Sequence, residues 1–231
     1  DLIGMSVFTG YLNKKYVDLS KKLKAKGYLI VWGNAHASLL PEQVLREPAI
    51  DFVVIGEGEE TLVELAKNLG HKENYKNITG LGFKEQDGRL VINPRRNFGD
   101  MDEYLIDWSL INIEDYIVPY FSGKYKRTLM VVTSRGCPFN CQFCYNQIFN
   151  NRRWRAHSAE KLIANLKPVI AKYKIEAIRF LDDNFFVNKE RAFTIARALN
   201  LPYWAEARVE FVDEKFVVNL KETKCQEIMF G

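Results

Sequence analysis

The chain has 231 residues, with 33 basic and 29 acidic side chains and a formal net charge of +4. This excess is too small to indicate nucleic-acid binding by itself, and no apolar stretch of the sequence approaches the roughly 20 residues of a membrane span. Length and composition therefore predict a soluble, cytoplasmic protein of one or two domains with real hydrophobic cores.

Residues 1–74 alternate apolar runs with amphipathic segments. Strands are predicted at 2–7, 28–32 and 52–55, and helices around Tyr16, Leu19 and Leu23 before Gly27 and at 59–69. This order predicts a doubly wound, Rossmann-like α/β domain, whose loops after the strands should bind a ligand.

Residues 75–126 are predicted to link this domain to the next. Apolar and polar residues alternate from 79 to 92 around Gln86-Asp87-Gly88, which predicts a hairpin. The following segment, 93–126, is rich in aromatic residues and is expected to seat one domain on the other.

Residues 127–231 again alternate strands with helices. Strands are predicted at 127–133, 176–181, 203–209 and from 227 to 230, and helices at 158–173, 189–199 and 213–223. Pro168 is expected to bend the first of these helices. The alternation predicts a parallel α/β sheet or barrel, with functional groups at the carboxyl ends of its strands.

Three of the four cysteines, Cys137, Cys141 and Cys144, follow the first of these strands. Iron–sulfur clusters are normally held by one thiolate per iron, so three cysteines on a four-iron cluster would leave one iron open for chemistry. A disulfide would leave an odd thiol, and no secretory signal precedes the motif. A structural zinc site would need His157 or Cys225, neither at a usual finger spacing. The pattern therefore favours a cluster over these alternatives.

The segment Cys137-Pro-Phe-Asn-Cys141-Gln-Phe-Cys144 resembles the Cys-x3-Cys-x-aromatic-Cys signature of the radical S-adenosylmethionine (radical SAM) superfamily, with Phe143 at the aromatic position. The resemblance implies a [4Fe-4S] cluster on these cysteines, whose open iron binds SAM and whose electron cleaves SAM to methionine and a 5'-deoxyadenosyl radical. It further implies a (β/α)6 barrel and an electron donor such as a flavodoxin or ferredoxin.

Two polar groups follow the next strands of the predicted barrel. They are Asp182, Asp183 and Asn184 after the second strand, and Glu206 and Arg208 on the third. The resemblance places the first group near the methionine amino group of SAM, although adjacent carboxylates could instead cap the next helix. The second group shares one strand face and resembles the polar pair around the SAM ribose and carboxylate, or else forms an ion pair inside the barrel.

The loops of the first domain resemble those of cobalamin-binding domains. Residues 5–9, Met-Ser-Val-Phe-Thr, resemble their Ser-x-Leu/Thr segment, and residues 32–38 resemble their Gly-Gly turn with one glycine replaced. The candidate contacts are Ser6, Thr9, Gly33, Asn34 and His36. Small side chains and a glycine would let the backbone approach the nucleotide tail of the cofactor, and asparagine tolerates a left-handed backbone. Ordinary loop chemistry is the alternative for each residue.

The sequence begins inside what reads as a strand of the cobalamin domain and stops in what should be the fourth barrel strand, so both domains are expected to be partial. Together, the resemblances imply a cobalamin-dependent radical SAM enzyme, and we favour a methyltransferase acting on an unactivated carbon of a small molecule or natural product. The alternatives are an enzyme with the same cofactors that forms or rearranges rings, and a non-catalytic iron–sulfur or zinc module that binds a partner through the basic cluster at 152–155.

Overall fold

Two sheets organise the chain, one within Asp1–Phe98 and one within Gly99–Gly231. They are seen in a computed structural model that describes residues 1–120 and 123–231. Phe121 and Ser122, which belong to the connection predicted at 93–126, lie outside the described residues.

The first unit contains five strands and four α-helices. The strands are β1 (Leu2–Ser6), β2 (Leu29–Gly33), β3 (Phe52–Val54), β4 (Leu81–Lys84) and β5 (Leu90–Ile92), and the helices are α1 (Asn13–Lys24), α2 (Asn34–Leu39), α3 (Pro41–Leu45) and α4 (Glu59–Lys67). The strands lie in chain order, with β1 to β3 parallel and β4 and β5 antiparallel. The three predicted strands, the two helices and the hairpin are thereby confirmed.

Both faces of this first sheet are covered, which explains why its strands read as continuous apolar runs. Ile30 and Trp32 belong to a core that includes residues of α1 and α3. The opposite face carries Val31 of β2 and Phe52 and Val54 of β3. These side chains belong to a second core with Leu65 of α4. The result is the layered α/β arrangement expected of a Rossmann-like domain.

Helices α2 and α3 were not predicted from the sequence. Residues 32–38 were expected to form a turn, but a helix begins directly after Gly33. Asn34 has φ 74°, so the position where asparagine replaces the second glycine does adopt the left-handed backbone. Pro41 then stands at the first turn of α3, where its missing N–H costs no hydrogen bond.

The second unit contains seven strands and four α-helices among its described residues. The strands are β6 (Ile117–Tyr120), β7 (Tyr125–Val131), β8 (Ser134–Arg135), β9 (Arg155–Ala156), β10 (Ala177–Phe180), β11 (Tyr203–Ala207) and β12 (Cys225–Phe230), and the helices are α5 (Asn146–Phe149), α6 (Ala159–Tyr173), α7 (Lys189–Leu199) and α8 (Glu214–Glu222). The main sheet has the order β12-β11-β10-β7-β6, and β8 and β9 form a separate ribbon.

Four strands of the main sheet, β7, β10, β11 and β12, are parallel, and helices connect them in the predicted alternation. The edge strand β6 is antiparallel to β7 and lies in the segment predicted to be a connection. Because β6 and β12 each have one sheet neighbour among the described strands, the predicted barrel is seen as an open sheet.

One face of this sheet packs against α6, α7 and α8. Phe180 of β10 stacks on Phe185, with ring centroids 4.0 Å apart and planes at 9°. Both rings are buried in a core that includes Leu166 of α6 and Phe216 of α8. The opposite face carries Thr128 of β7, Arg179 of β10 and Glu206 of β11.

The longest helix, α6, has 15 residues and begins after Ser158, whose hydroxyl accepts from the Lys161 N–H at 3.4 Å. It continues through Pro168 to Tyr173. Within residues 1–120 and 123–231, every helix falls short of the length and apolar character that a bilayer span requires.

We expect Phe180→Ala to lower the free energy of unfolding by about 3–5 kcal/mol, because it leaves a cavity beneath Phe185. Val217→Ala on α8 is a control that should stay within about 0.5 kcal/mol of the parent, since Val217 is half exposed. Urea titration followed by circular dichroism measures both. Equal stabilities of the two variants would contradict the packing described.

Candidate functional site

The cysteine loop follows the carboxyl end of β7 and is closed at a single glycine. Gly136 has φ 81°, and a Cβ atom added there would lie 2.1 Å from the carbonyl oxygen of Arg153. Any other residue would therefore clash with backbone and be strained as well. Beyond this point, the Cys144 N–H donates to the Cys141 carbonyl at 2.9 Å and folds the loop back on itself.

The three cysteines of the loop are free and half-buried. Burial raises the pKa of the Cys137 thiol, and the nearby Asp183 and Cys144 act in the same direction, whereas the Phe139 N–H and the Asn184 side chain act in the opposite one. A bound metal cation would instead lower the pKa of this thiol, because metal ligation needs the thiolate.

The Cys141 sulfur accepts a hydrogen bond from Arg208 at 2.9 Å. The same guanidinium lies 4.3 Å from the centroid of the Phe139 ring, and Phe139 contacts Phe211 at 5.8 Å. Arg208 follows β11, two strands away from β7 in the sheet. One arginine thus joins the end of β11 to the cysteine loop.

The donor set fits an iron–sulfur cluster better than one metal ion. Among the described residues, no three Cys, His, Asp or Glu side chains are grouped closely enough to hold a single ion. A cluster places each thiolate on a different iron and spreads the sulfurs further apart. Three half-buried thiols in one loop are compatible with such a spread.

The two candidates for a fourth zinc ligand lie elsewhere. Cys225 pairs with Tyr203 at the amino ends of β12 and β11, whereas the cysteine loop follows the carboxyl end of parallel β7. Burial raises the pKa of Cys225 to about 11. The buried His157 ring lies 3.6 Å from a carboxylate oxygen of Asp102, and burial lowers its pKa.

Asp182 is 1% exposed and accepts three hydrogen bonds. Its donors are the Thr133 N–H at 2.6 Å, the Thr133 hydroxyl at 2.6 Å and the Ser134 hydroxyl at 2.5 Å. Burial raises the pKa of Asp182, while these donors and Arg191 oppose the shift. Asp182 therefore acts on the strand that leads into the cysteine loop, and its carboxylate is closed to solvent.

Asp183 lies on the other side of the chain and contacts the loop directly. Its carboxylate accepts from the Gly136 N–H at 2.9 Å and from the Tyr145 hydroxyl at 3.1 Å. Asn184 is buried, and its side-chain oxygen accepts from the Phe186 N–H at 3.3 Å. The cap of α7 is Asn188, so the alternative that these residues cap the helix does not describe the structure.

Glu206 is the acidic residue of β11. Burial raises the pKa of Glu206, Asp183 raises it further, and Arg179 acts in the opposite direction. Among the described side chains, the ion pair of Arg208 within 4 Å is with Glu210 and not with Glu206. The strand predicted at 203–209 ends at Ala207, so the prediction that Glu206 and Arg208 share one strand face is wrong for Arg208, which lies in the segment after β11.

Phe143 is 87% exposed and projects from the cysteine loop. It provides an apolar surface for a planar ligand group at the position where the signature has its aromatic residue.

In the first unit, the candidate residues gather at the carboxyl ends of β1 and β2. The Asn34 amide donates to the Ser6 hydroxyl at 2.8 Å, and its oxygen accepts from the Ala35 N–H at 2.6 Å. Ser38 donates to the Asn34 carbonyl at 2.8 Å and accepts from the Gly56 N–H at 2.9 Å. Short polar side chains therefore hold three loops together at this edge.

Thr9 and His36 meet at the same edge, with the Thr9 hydroxyl 3.1 Å from His36 Nδ1. His36 is 8% exposed, and burial lowers its pKa. The amide of Asn13, with its oxygen turned to the ring, lies 3.1 Å from Nε2. His36 thus has neighbours on both ring nitrogens and braces the loop.

Gly33 is not required by the fold itself. An added Cβ would find its nearest heavy atom at 3.9 Å, an ordinary contact, and its φ of −133° suits any residue. A small residue at this position leaves open space beside Ser6 and Asn34, as the close approach of a ligand would require.

Several residues that hold the cysteine loop were not predicted from the sequence. Thr133 and Ser134 anchor Asp182, Tyr145 contacts Asp183, and Arg191 donates to the carbonyl oxygens of His157 and Thr133 at 2.7 and 2.8 Å. A polar Thr-Ser pair directly after an apolar strand was the available signal for the first two. Nothing local marks Arg191, which lies on α7 and acts across the fold.

Both units of the chain match known protein families. Family models for the B12 binding domain and the radical SAM superfamily match residues 1–66 and 131–228. An uncharacterized methyltransferase of Pyrococcus horikoshii is 35% identical over 243 aligned positions, which cover 100% of this chain and 51% of that protein. The anaerobic magnesium-protoporphyrin IX monomethyl ester cyclase of a Synechocystis species is 28% identical over 162 positions, covering 70% of this chain and 32% of that protein.

A solved structure shares the fold of the whole chain. The cobalamin-dependent S-adenosylmethionine radical enzyme OxsB, with aqua-cobalamin and S-adenosylmethionine bound, superposes with a TM-score of 0.75 and 24% identity, covering 100% of this chain and 35% of that one. The chain spans about half or less of the length of these relatives.

We expect Gly136→Ala to disrupt the cysteine loop, because its Cβ would meet the Arg153 carbonyl at 2.1 Å. Gly88→Ala is the matched control, since Gly88 has φ 85° and nothing within 4 Å of an added Cβ. The control should cost only the roughly 1–2 kcal/mol of a left-handed alanine. Gly136→Ala should lose more stability and should also take up less iron on anaerobic reconstitution, measured by metal analysis. Equal iron contents would contradict the role of this contact.

Proposed function

The chain belongs to the radical SAM superfamily, in the subgroup that carries a B12-binding domain, and on that basis we propose that it acts as a cobalamin-dependent methyltransferase on an unactivated carbon. The observation that carries the proposal is the loop of three free, half-buried cysteines at the carboxyl end of a parallel strand, following an N-terminal B12-binding domain.

Cys137, Cys141 and Cys144 would hold the [4Fe-4S] cluster, and Asp183 and Arg208 would hold the loop around it. When bound, the cluster and SAM supply one-electron cleavage of the sulfonium. Phe143 would offer its exposed ring to a planar group of SAM, and Asn184 and Glu206 lie near the strand ends where polar groups of SAM would bind. Asp182 acts through Thr133 and Ser134 instead of touching the ligand.

Ser6, Thr9, Gly33, Asn34 and His36 would line the cobalamin site. Gly33 leaves room for the nucleotide tail, and the hydroxyls of Ser6 and Thr9 lie among groups that already exchange hydrogen bonds. When bound, cobalamin supplies the methyl group, while these residues fix its orientation. A small-molecule or natural-product substrate and a flavodoxin or ferredoxin reductant belong to the same proposal.

A second function within the subgroup is ring formation. The similarity to a monomethyl ester cyclase over 70% of this chain supports it as the alternative. The product distinguishes the two, because methylation adds one methyl group to the substrate whereas cyclisation does not.

The alternative of a partner-binding module depends on the basic cluster at 152–155, and one arginine of this cluster is engaged within the chain. The Arg155 guanidinium donates to the Arg153 carbonyl at 3.0 Å and to the Asn150 side chain at 3.1 Å. This arginine therefore braces the loop beside Gly136 and is not free to contact a nucleic acid.

We expect anaerobic reconstitution to load about four iron and four sulfide per chain, and reduction in the presence of SAM to release 5'-deoxyadenosine. Cys137→Ser should lower both readouts. Cys225→Ser should lower neither, because Cys225 lies at the amino end of β12, whereas the cysteine loop follows the carboxyl end of β7. Iron and sulfide analysis and chromatography of the nucleoside give the result. One zinc per chain with no cleavage of SAM would overturn the proposal.

We expect the chain to retain cobalamin through gel filtration, detected by its visible absorbance. Gly33→Ala should weaken retention by placing a methyl group beside the nucleotide tail, and Gly4→Ala is the matched control within β1. Both glycines would accept a Cβ in ordinary contact, at 3.9 and 3.8 Å from the nearest atom, so both variants should fold. Equal retention by the two variants would remove Gly33 from the site, and no retention by the parent would remove cobalamin.

A further inference from the structure

The main sheet of the second unit has one face turned away from α6, α7 and α8, and Arg179 of the middle strand β10 lies on that face. Arg179 of β10 pairs in register with Met130 of β7 and with Trp204 of β11. Its guanidinium carbon lies 4.4 Å from the centroid of the Trp204 ring and 4.8 Å from that of Tyr120. Two aromatic rings thus hold the guanidinium in one orientation.

The charge of Arg179 is not matched by a close carboxylate. Within residues 1–120 and 123–231, no acidic oxygen lies within 4 Å of its nitrogens, and its buried Nε has no hydrogen-bond partner. Glu206, two residues beyond Trp204, influences it through space only. A half-buried guanidinium held by aromatic rings is poorly hydrated and favours an anion.

Two neighbouring polar atoms on the same face also lack partners. The Nε1 of Trp204 and the hydroxyl of Thr128 are fully buried and make no hydrogen bond within the described part of the chain. Buried donors are normally satisfied. Arg179 and Trp204 can only donate, so the group that completes this face is an acceptor.

We propose that Arg179, with Trp204 and Thr128, forms a binding site for an anionic group of the substrate, a carboxylate or a phosphate or phosphonate. The inference rests on the proposed function, which it deepens by naming a substrate class. Arg179 precedes Asp183 by four residues, which is about 13 Å along an extended strand. A substrate anchored at Arg179 would therefore extend along the sheet towards the cysteine loop, with its reacting carbon remote from its charge.

The first test is titration of the cofactor-free chain with methylphosphonate and with acetate, at constant ionic strength in chloride. Trp204 is the reporter, because its ring lies against the guanidinium. We expect a saturable change in tryptophan fluorescence that disappears in Trp204→Phe. The tighter of the two anions identifies the type of group.

Variants of Arg179 separate charge from packing. Arg179→Met keeps a long side chain over Trp204 but removes the charge, and it should weaken binding by at least about tenfold. Arg179→Lys should recover part of the affinity. The control is Arg197→Met on α7, which removes another arginine that lies over an aromatic ring, 5.8 Å from Phe193, and it should bind as the parent does. Melting curves establish that the variants fold.

Three results would overturn the proposal. They are an absence of saturable binding in the folded parent, equal binding by Arg179→Met, and binding that appears only after Glu206→Gln, which would make Glu206 the permanent counterion. Cleavage of SAM is measured separately on the reconstituted chain. If cleavage fails while the anion titration succeeds, the proposed function is wrong and the anion site stands. If cleavage proceeds while the titration fails, the anion site is wrong.

Discussion

The buried carboxylate of Asp182 is the constraint on which the site of the second unit depends. A carboxylate that is closed to solvent must be hydrogen-bonded, because an unpaired buried charge costs several kcal/mol, on the order of 3–5 when a partner is removed. Thr133 and Ser134 supply the donors, and both lie between β7 and the cysteine loop. The requirement to satisfy one acid therefore fixes the exit of β7 against the end of β10.

The other contacts of the loop build on that junction. With β10 fixed, Asp183 points to the opposite side of the chain and receives the Gly136 N–H. The Arg153 carbonyl lies close to Gly136, so the segment that leads into β9 packs against the start of the cysteine loop. Arg208, which follows β11, donates to the Cys141 sulfur. The cysteines are thus presented by a loop that three strands hold, as a preorganised cluster site requires.

The two sheets divide their faces differently, and their ligand sites differ accordingly. The first sheet is apolar on both faces, so its polar groups are confined to the strand ends, where Ser6, Asn34 and His36 gather. The second sheet packs helices on one face and keeps Arg179, Trp204 and Glu206 on the other. A ligand of the second unit can therefore lie along the sheet as well as at its edge.

The sequence by itself determined the alternation of strands and helices and the cysteine motif, because apolar periodicity and ligand spacing are local properties of the chain. It also marked Asn34, because an asparagine tolerates the left-handed backbone found at that position. Only the tertiary structure decided that Asp182 is buried while Asp183 faces the loop, that Arg208 contacts Cys141, and that Arg179 lies between two aromatic rings. These assignments depend on the register of neighbouring strands and on hydrogen bonds between residues that are 38 to 67 positions apart in the chain. No local sequence pattern encodes such pairings.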